Sequence, residues 1–357
     1  MPTSTTISAI MNARVFEGER FSDPATVNID GELIGSSDVI ASRTFDAKGT
    51  FLLPGLIDSH IHMMGPDDLA TMAQYGVTTA LDMATWPIER LNSFRNQKGV
   101  TNIRACGIPA CGPGSAHSKI PSMPAEAVVA SPAEGKQFVL SRIAEGADYI
   151  KVIADLPGLS QETMDVIVAI ALQHEKLVVA HAATTIATRM AQSAGVDIVT
   201  HTPVDGVMTR DEIAQMVDSQ RVSVPTLVMM KGACERRGAE YGNCRKTVAA
   251  LHEAGVLVLA GTDANRAPGV PMQVAHGVSL HEELELLVEC GLSTAEVLRS
   301  ATSLPARVFG LKDRGRIESG LRADLVLVAD NPLENITATR KILKVWVGGE
   351  EYTLPEK

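Results

Sequence analysis

The sequence predicts an α/β protein: a (β/α)8 TIM barrel carrying a small discontinuous β-sandwich made from the two chain ends. Three observations predict it. Short apolar runs rich in β-branched residues recur through the middle of the chain. Amphipathic segments of helical period separate them, and the two ends read instead as strands and turns.

The runs, in order, are "LPGLIDSHIH" (53–62), "GVTTALDM" (76–83), "NIRACG" (102–107), "DYIKVIA" (148–154), "KLVVAHA" (176–182), "DIVTH" (197–201), "VSVPTL" (222–227) and "VLVLAGTDA" (256–264). Near-continuous apolar strands imply a parallel sheet buried on both faces. Segments such as "DLATMAQY", "KQFVLSRIAEG", "QETMDVIVAIALQHE", "TIATRMAQSAG", "TRDEIAQMVDSQ" and "CRKTVAALHEAG" supply the intervening helices, several ending at a glycine. The least regular is "ATWPIERLNSFRNQKGV" (84–100). Eight such units over roughly 250 residues match a barrel. The competing open, doubly wound sheet loses its main support because no G-x-G-x-x-G follows the first strand. The barrel is expected over residues 53–313. Residues 1–52 and 314–357 have too few apolar residues to fold separately and are expected to pair into the β-sandwich.

Composition narrows the function. The 357 residues are 45% hydrophobic and 21% charged, which suits a globular protein with a substantial core. A net charge of −10 without a long Lys/Arg run speaks against nucleic acid or an anionic membrane as partner. The N-terminal "MPTSTTISAIMNARVF" lacks a basic leader followed by an apolar core, and no uncharged apolar run reaches about 18 residues, so neither a secretory signal nor a membrane span is expected. The five cysteines (106, 111, 234, 244 and 290) are irregularly spaced and read as free thiols of a cytoplasmic protein. A small-molecule substrate is expected; a homo-oligomer is compatible with the sequence, which does not fix the assembly.

In such a barrel, functional groups sit at the C-terminal ends of the strands. His60 and His62 end the first run, and side chains at i and i+2 share a face. Lys151 lies in the fourth run, His181 ends the fifth, His201 the sixth, and Asp263 the eighth. Four of nine histidines therefore gather at one rim with a carboxylate and a lysine. Imidazole and carboxylate are the ligands of zinc and its neighbours. Lys151 is open to two readings: its ammonium snorkels or pairs with Asp148 or Asp155, or burial lowers its pKa and the amine captures carbon dioxide as a carbamate.

The ordered set "LPGLIDSHIH", "DYIKV", "VVAHA", "GVDIVTH", "GTDA" and "LHEELELLVECGLSTAEVLRSATSLPARVFGL…GRIESGLRADLVLV" resembles the amidohydrolase superfamily. Within it, the chain is similar to the branch containing imidazolonepropionase-like hydrolases and metal-dependent Xaa-Pro dipeptidases. The resemblance implies two Zn2+ per chain: His60, His62 and Asp263 on one ion, His181 and His201 on the other, and carboxylated Lys151 bridging them. It implies hydrolysis of an amide bond in a small molecule such as a dipeptide or an N-acyl amino acid. Two metal ions would make hydroxide available near neutral pH, and Asp263 would relay its proton to the leaving amine. Alternatives on the same scaffold are a one-metal deaminase or cyclic-amidine hydrolase, a lactonase or a decarboxylase. A ligand-binding barrel without activity would need some of the six positions altered, and all six are filled.

Loop residues supply the candidate substrate contacts. His117 lies in "CGPGSAHSKIPSMP" after the third run, and by the resemblance it faces the substrate carbonyl. Arg237 and Tyr241 lie in the segment after the seventh run, read as a loop, where either could clamp a carboxylate. His276 follows the eighth run as a further pocket candidate. His281 is expected to open a helix capped by Ser279, with a structural role, and Asp82 to orient backbone near the site.

Overall fold

The computed structural model describes residues 8–36 and 41–355. Eight short strands form the barrel: Leu56–Ile61, Val77–Asp82, Asn102–Ala105, Ile150–Ile153, Val178–His181, Ile198–Thr200, Val222–Val224 and Leu257–Val258. Hydrogen-bonded neighbours run parallel. Two seams complete the circle. The third and fourth strands are joined where the Asp148 N–H donates to the Ala105 carbonyl at 2.9 Å and the Ala110 N–H to that of Lys151 at 2.9 Å. The eighth and first are joined by Ser59 N–H to Ala260 O at 2.9 Å, Asp263 N–H to His60 O at 2.8 Å and His62 N–H to Ala264 O at 2.9 Å. Regular strand geometry covers only part of the eighth run, yet its pairing continues to the residue after Asp263.

The barrel interior is a packed core. Ile57, Leu81, Tyr149, Val179, Ile198, Val222, Val224 and Leu259 cluster there with Ala306 and Leu311 beneath them. Side chains two positions on along a strand face the same way. Tyr149 therefore precedes Lys151, Val179 precedes His181, and Ile198 precedes Thr200, so the apolar layer carries a polar layer directly above it. Beyond the eighth strand, Gly261 is closely packed at that level, since a Cβ there would lie 2.5 Å from Val224 Cγ1 and 3.0 Å from the His60 nitrogen.

Helices of the outer ring begin where side chains supply caps. Ser131, Ser160 and Thr184 cap Pro132–Ala144, Gln161–Gln173 and Thr185–Ala194, and Thr209 forms a capping box with Glu212 on Arg210–Asp218. The irregular segment after the second strand holds only a short helix, Ile88–Phe94, which stops before Asn96 in left-handed conformation.

The segment after the seventh strand is not a loop, as expected from sequence, but the helix Leu227–Arg237, followed by Tyr241–Glu253. Its start carries no side-chain cap of its own; instead Glu283 accepts the Leu227 and Val228 N–H groups, each at 2.9 Å. A cap delivered from residue 283 leaves no local signature. Likewise the helix Val278–Glu289 starts after Gly277 (φ +76°), not with Ser279 as its cap.

Both chain ends contribute to one eight-stranded sheet, ordered Glu350–Tyr352, Ile342–Val347, Leu325–Val328, Phe51–Pro54, Ser8–Val15, Ala25–Asp30, Leu33–Ile34, with Arg43–Asp46 also on Ser8–Val15. Alternation sorts its side chains into two cores. Leu52, Leu325, Leu327 and Trp346 join Ile10, Val27 and Ile29, whereas Leu53, Val326, Val328, Val345 and Val347 pack with the barrel's outer layer. The chain passes from this sheet into the barrel at Gly55, where a Cβ would sit 2.1 Å from Thr78 Oγ1. No helix among the described residues is long and apolar enough to cross a membrane.

Candidate metal centre

His60, His62 and Asp263 converge at the seam between the first and eighth strands. Asp263 Oδ1 is 3.0 Å from His62 Nε2 and 3.5 Å from His60 Nε2. The register of the first strand is irregular between Asp58 and Ile61, which brings the strand end against the eighth strand. Beside them stand His201, its ring 5.0 Å from that of His60, and His181, 4.4 Å from His201. His201 Nδ1 lies 2.8 Å from Thr226 Oγ1 and 4.0 Å from Asp263 Oδ2. His201, Thr226 and Asp263 all adopt positive φ, at +73°, +50° and +56°, a conformation that side chains other than glycine rarely hold.

Lys151 is buried below this group, and its ammonium donates to Thr200 Oγ1 at 3.0 Å, which in turn donates to the Ala180 carbonyl. It pairs with neither carboxylate weighed from sequence. Asp148 is held by Arg95 and the Ala105 N–H, and Asp155 by His117.

Burial governs the electrostatics. It lowers Lys151 to about 8 and His181 to about 4, and with repulsion from Lys151 and the neighbouring rings it holds His60 and His201 well below the usual imidazole range. Unprotonated rings beside a carboxylate are the donor set of a divalent cation. One atom fits that use directly: Asp263 Oδ1 is buried, has no hydrogen-bond donor among the described residues, and faces the Nε2 atoms of both His60 and His62.

A second group of potential ligands is His117, Asp155 and His181. His117 Nδ1 is 2.6 Å from Asp155 Oδ2, His181 Nε2 is 3.5 Å from Asp155 Oδ1, and the two rings are 4.8 Å apart. Burial alone would raise Asp155, but the hydrogen bonds with His117 and His181 outweigh it and hold the carboxyl well below its usual range.

The other expected contacts fall elsewhere. His276 is buried, with Nε2 2.9 Å from the His62 carbonyl and Nδ1 3.6 Å from Asp68 Oδ1, so it braces the backbone of a candidate ligand. Asp68 accepts the Met64 and Gly65 N–H groups and pairs with Arg266. Arg237 is exposed at the end of its helix. The Tyr241 hydroxyl is buried among the outer helices, where Cys244 and Cys290 are neighbours. Neither joins the histidine cluster. Asp82 accepts the Met63 N–H and the Thr85 hydroxyl, each at 2.9 Å, directly after His62.

Sequence reasoning missed Asp58, Thr200 and Thr226, and weighed Asp155 only as a partner for Lys151. Asp58 had a readable signal, an acidic residue inside an apolar run. The two threonines had none, because hydroxyls are common at strand ends.

Residues 51–352 match the Amidohydrolase family. An adenine deaminase of Bacillus licheniformis is 26% identical over 337 residues, covering 90% of this chain and 54% of that protein. An adenine deaminase of Nitratidesulfovibrio vulgaris is 25% identical over 347 residues, covering 90% and 54%. The chain thus spans about half the length of the curated relatives it matches. Among solved structures, a Xaa-Pro dipeptidase with bound methionine in the active site superposes with a TM-score of 0.83 at 23% identity, covering 97% of this chain and 99% of that one. The A. niger ochratoxinase superposes with a TM-score of 0.82 at 20% identity, covering 99% and 97%. Likeness at this level of identity establishes the fold.

Proposed function

Because this chain belongs to the amidohydrolase family, we propose that it is a metal-dependent hydrolase of a carbon–nitrogen bond in a small molecule, such as the amide of a dipeptide or N-acyl amino acid. One observation carries the reading. Donors from the first, fifth, sixth and eighth strands meet at one rim above a buried lysine.

His60, His62 and Asp263 would hold one zinc ion, and His181 and His201 a second, with Lys151 as its carbamate reaching both. Such ions supply Lewis acidity toward a carbonyl and a water that ionises near neutral pH. The chain's own residues would do the rest. Asp263 takes a proton from the attacking water, on the carboxylate oxygen that does not hold the ion, as the oxygen–carbon bond forms. It returns that proton to the nitrogen as the carbon–nitrogen bond breaks, so the leaving group departs as a neutral amine. His117 turns its Nε2 edge toward the bound substrate. The five cysteines, all free and buried, suit a cytoplasmic enzyme.

The deaminase names of the curated relatives favour a second reading, release of ammonia from an amino-substituted ring. One experiment separates the two: a substrate-library screen of the metal-loaded protein, scored separately for released amine and ammonia, with metal counted per chain. Amine and two ions support the amide reading; ammonia and one ion support the deaminase. Turnover by metal-free protein defeats both.

A further inference from the structure

We propose that Asp155 is the positioning residue for His117, fixing which ring edge that histidine turns toward the metal centre; the inference rests on the proposed role of His117 at the substrate. The contact itself is close. Asp155 Oδ2 lies 2.6 Å from His117 Nδ1, joining the loop after the fourth strand to the loop after the third.

The two loops are built as one unit, so this contact is not a chance meeting of mobile segments. Ala110 pairs with the fourth strand on both sides, through its N–H to Lys151 O at 2.9 Å and its carbonyl from Ile153 N–H at 2.8 Å. At Gly112 the backbones touch: a Cβ there would lie 1.9 Å from the Gly158 carbonyl carbon and 2.0 Å from the Leu159 nitrogen. Ser115 Oγ accepts the Ser118 N–H at 3.0 Å, and Ser118 Oγ donates back to the Ser115 carbonyl at 2.8 Å, closing the turn His117–Lys119. The backbone carrying His117 is therefore set against the backbone carrying Asp155. Only the ring's rotation remains to be fixed.

An ionised carboxylate only accepts hydrogen bonds, so the facing Nδ1 carries the hydrogen. The tautomer of an imidazole is set by the partner of one nitrogen, which leaves the other for function. Asp155 thus makes Nε2 the available edge of His117, on a ring standing 4.8 Å from that of His181. Asp155 Oδ1, 3.5 Å from His181 Nε2, ties the same carboxylate to a candidate ligand. The competing role for Asp155 is as a ligand itself, in the group His117, Asp155 and His181.

The test uses full-length protein with 15N-labelled histidine, and long-range 1H–15N NMR assigns the His117 ring by its loss in His117→Gln. The expected spectrum shows His117 protonated at Nδ1 in the wild type and in Asp155→Asn, whose amide oxygen still accepts, and protonated at Nε2 in Asp155→Ala. Metal content by atomic emission should be equal in all three. With a substrate from the screen, Asp155→Ala should lose about 10- to 100-fold in kcat with little change in KM, the usual scale for a supporting partner. Asp155→Asn should recover most of that loss, and Asp155→Ala combined with His117→Gln should be no worse than His117→Gln alone. An unchanged tautomer in Asp155→Ala, a fall in metal content, or additive losses in the double variant would overturn the proposal. If no substrate is found, the proposed function fails, while the tautomer readout still decides the role of Asp155.

Discussion

Asp58 and Thr262 lock the first barrel strand to the eighth: Asp58 Oδ1 accepts the Thr262 N–H at 3.0 Å, and Oδ2 accepts its hydroxyl at 2.7 Å. Oδ1 also takes the His60 N–H at 3.1 Å. A single buried carboxylate therefore holds the backbone of His60 and of the residue before Asp263. Asp58→Ala strands those N–H groups and is expected to cost about 1–3 kcal/mol of unfolding free energy, read by urea denaturation. Metal affinity, measured by chelator competition, should weaken about 10- to 100-fold. Wild-type values in both assays would show that the lock is dispensable.

His60→Ala and Asp263→Ala each remove a donor from the seam. Each variant should bind less metal by atomic emission and lose hydrolysis, as should wild type treated with a chelator. Activity that survives in metal-free protein would remove the basis of the proposed chemistry.

Lys151 is buried and lowered to about 8, a value that leaves a useful fraction of neutral amine in a mildly alkaline solution. Lys151→Ala should bind one ion fewer than wild type. Acetate or propionate should restore part of the activity by filling the space of the carbamate oxygens. Full metal binding by Lys151→Ala would assign the lysine a packing role only.

His281 gives an acid-stability prediction outside the metal centre. The Tyr75 carbonyl, 3.1 Å away, can only accept, so Nε2 carries a hydrogen, while Nδ1 lies 3.0 Å from the Thr339 hydroxyl, whose own hydrogen goes to the Ile336 carbonyl. Burial, with repulsion from Arg340, lowers the imidazole to about 4. A folded-state pKa below the unfolded one gives stability that is complete above about 6.5 and is lost as pH falls toward 4. The difference in Tm between wild type and His281→Asn should therefore be largest near pH 7 and shrink by pH 4, followed by calorimetry. A constant difference would show that His281 does not titrate with unfolding.

The barrel was legible because its strands obey a simple rule: apolar residues through the middle, functional residues at the end. His60, His62, His181, His201 and Asp263 stand at or beyond strand ends and gather at one rim, with Lys151 inside the fourth strand below them. What the sequence hid was whatever depends on a partner far along the chain. The helix Leu227–Arg237 looked like a loop because its cap comes from Glu283. Arg237 and Tyr241 consequently looked available for substrate, although Arg237 stands exposed at a helix end and the Tyr241 hydroxyl is buried. His276 was placed near the correct strand end but turns to the His62 backbone, a direction set by the return path of its loop. Asp155 was weighed only as a partner for Lys151, because the neighbouring loop that delivers His117 had no readable conformation.

The pairing of Phe51–Pro54 with Leu325–Val328 has a consequence for how the molecule is made. A ribosome releases the earlier strand long before its neighbour exists, and the seam that gathers His60 and Asp263 likewise waits for residues beyond 260. During synthesis, the nascent chain therefore exposes an unfinished sheet edge and an unclosed barrel until those later residues emerge.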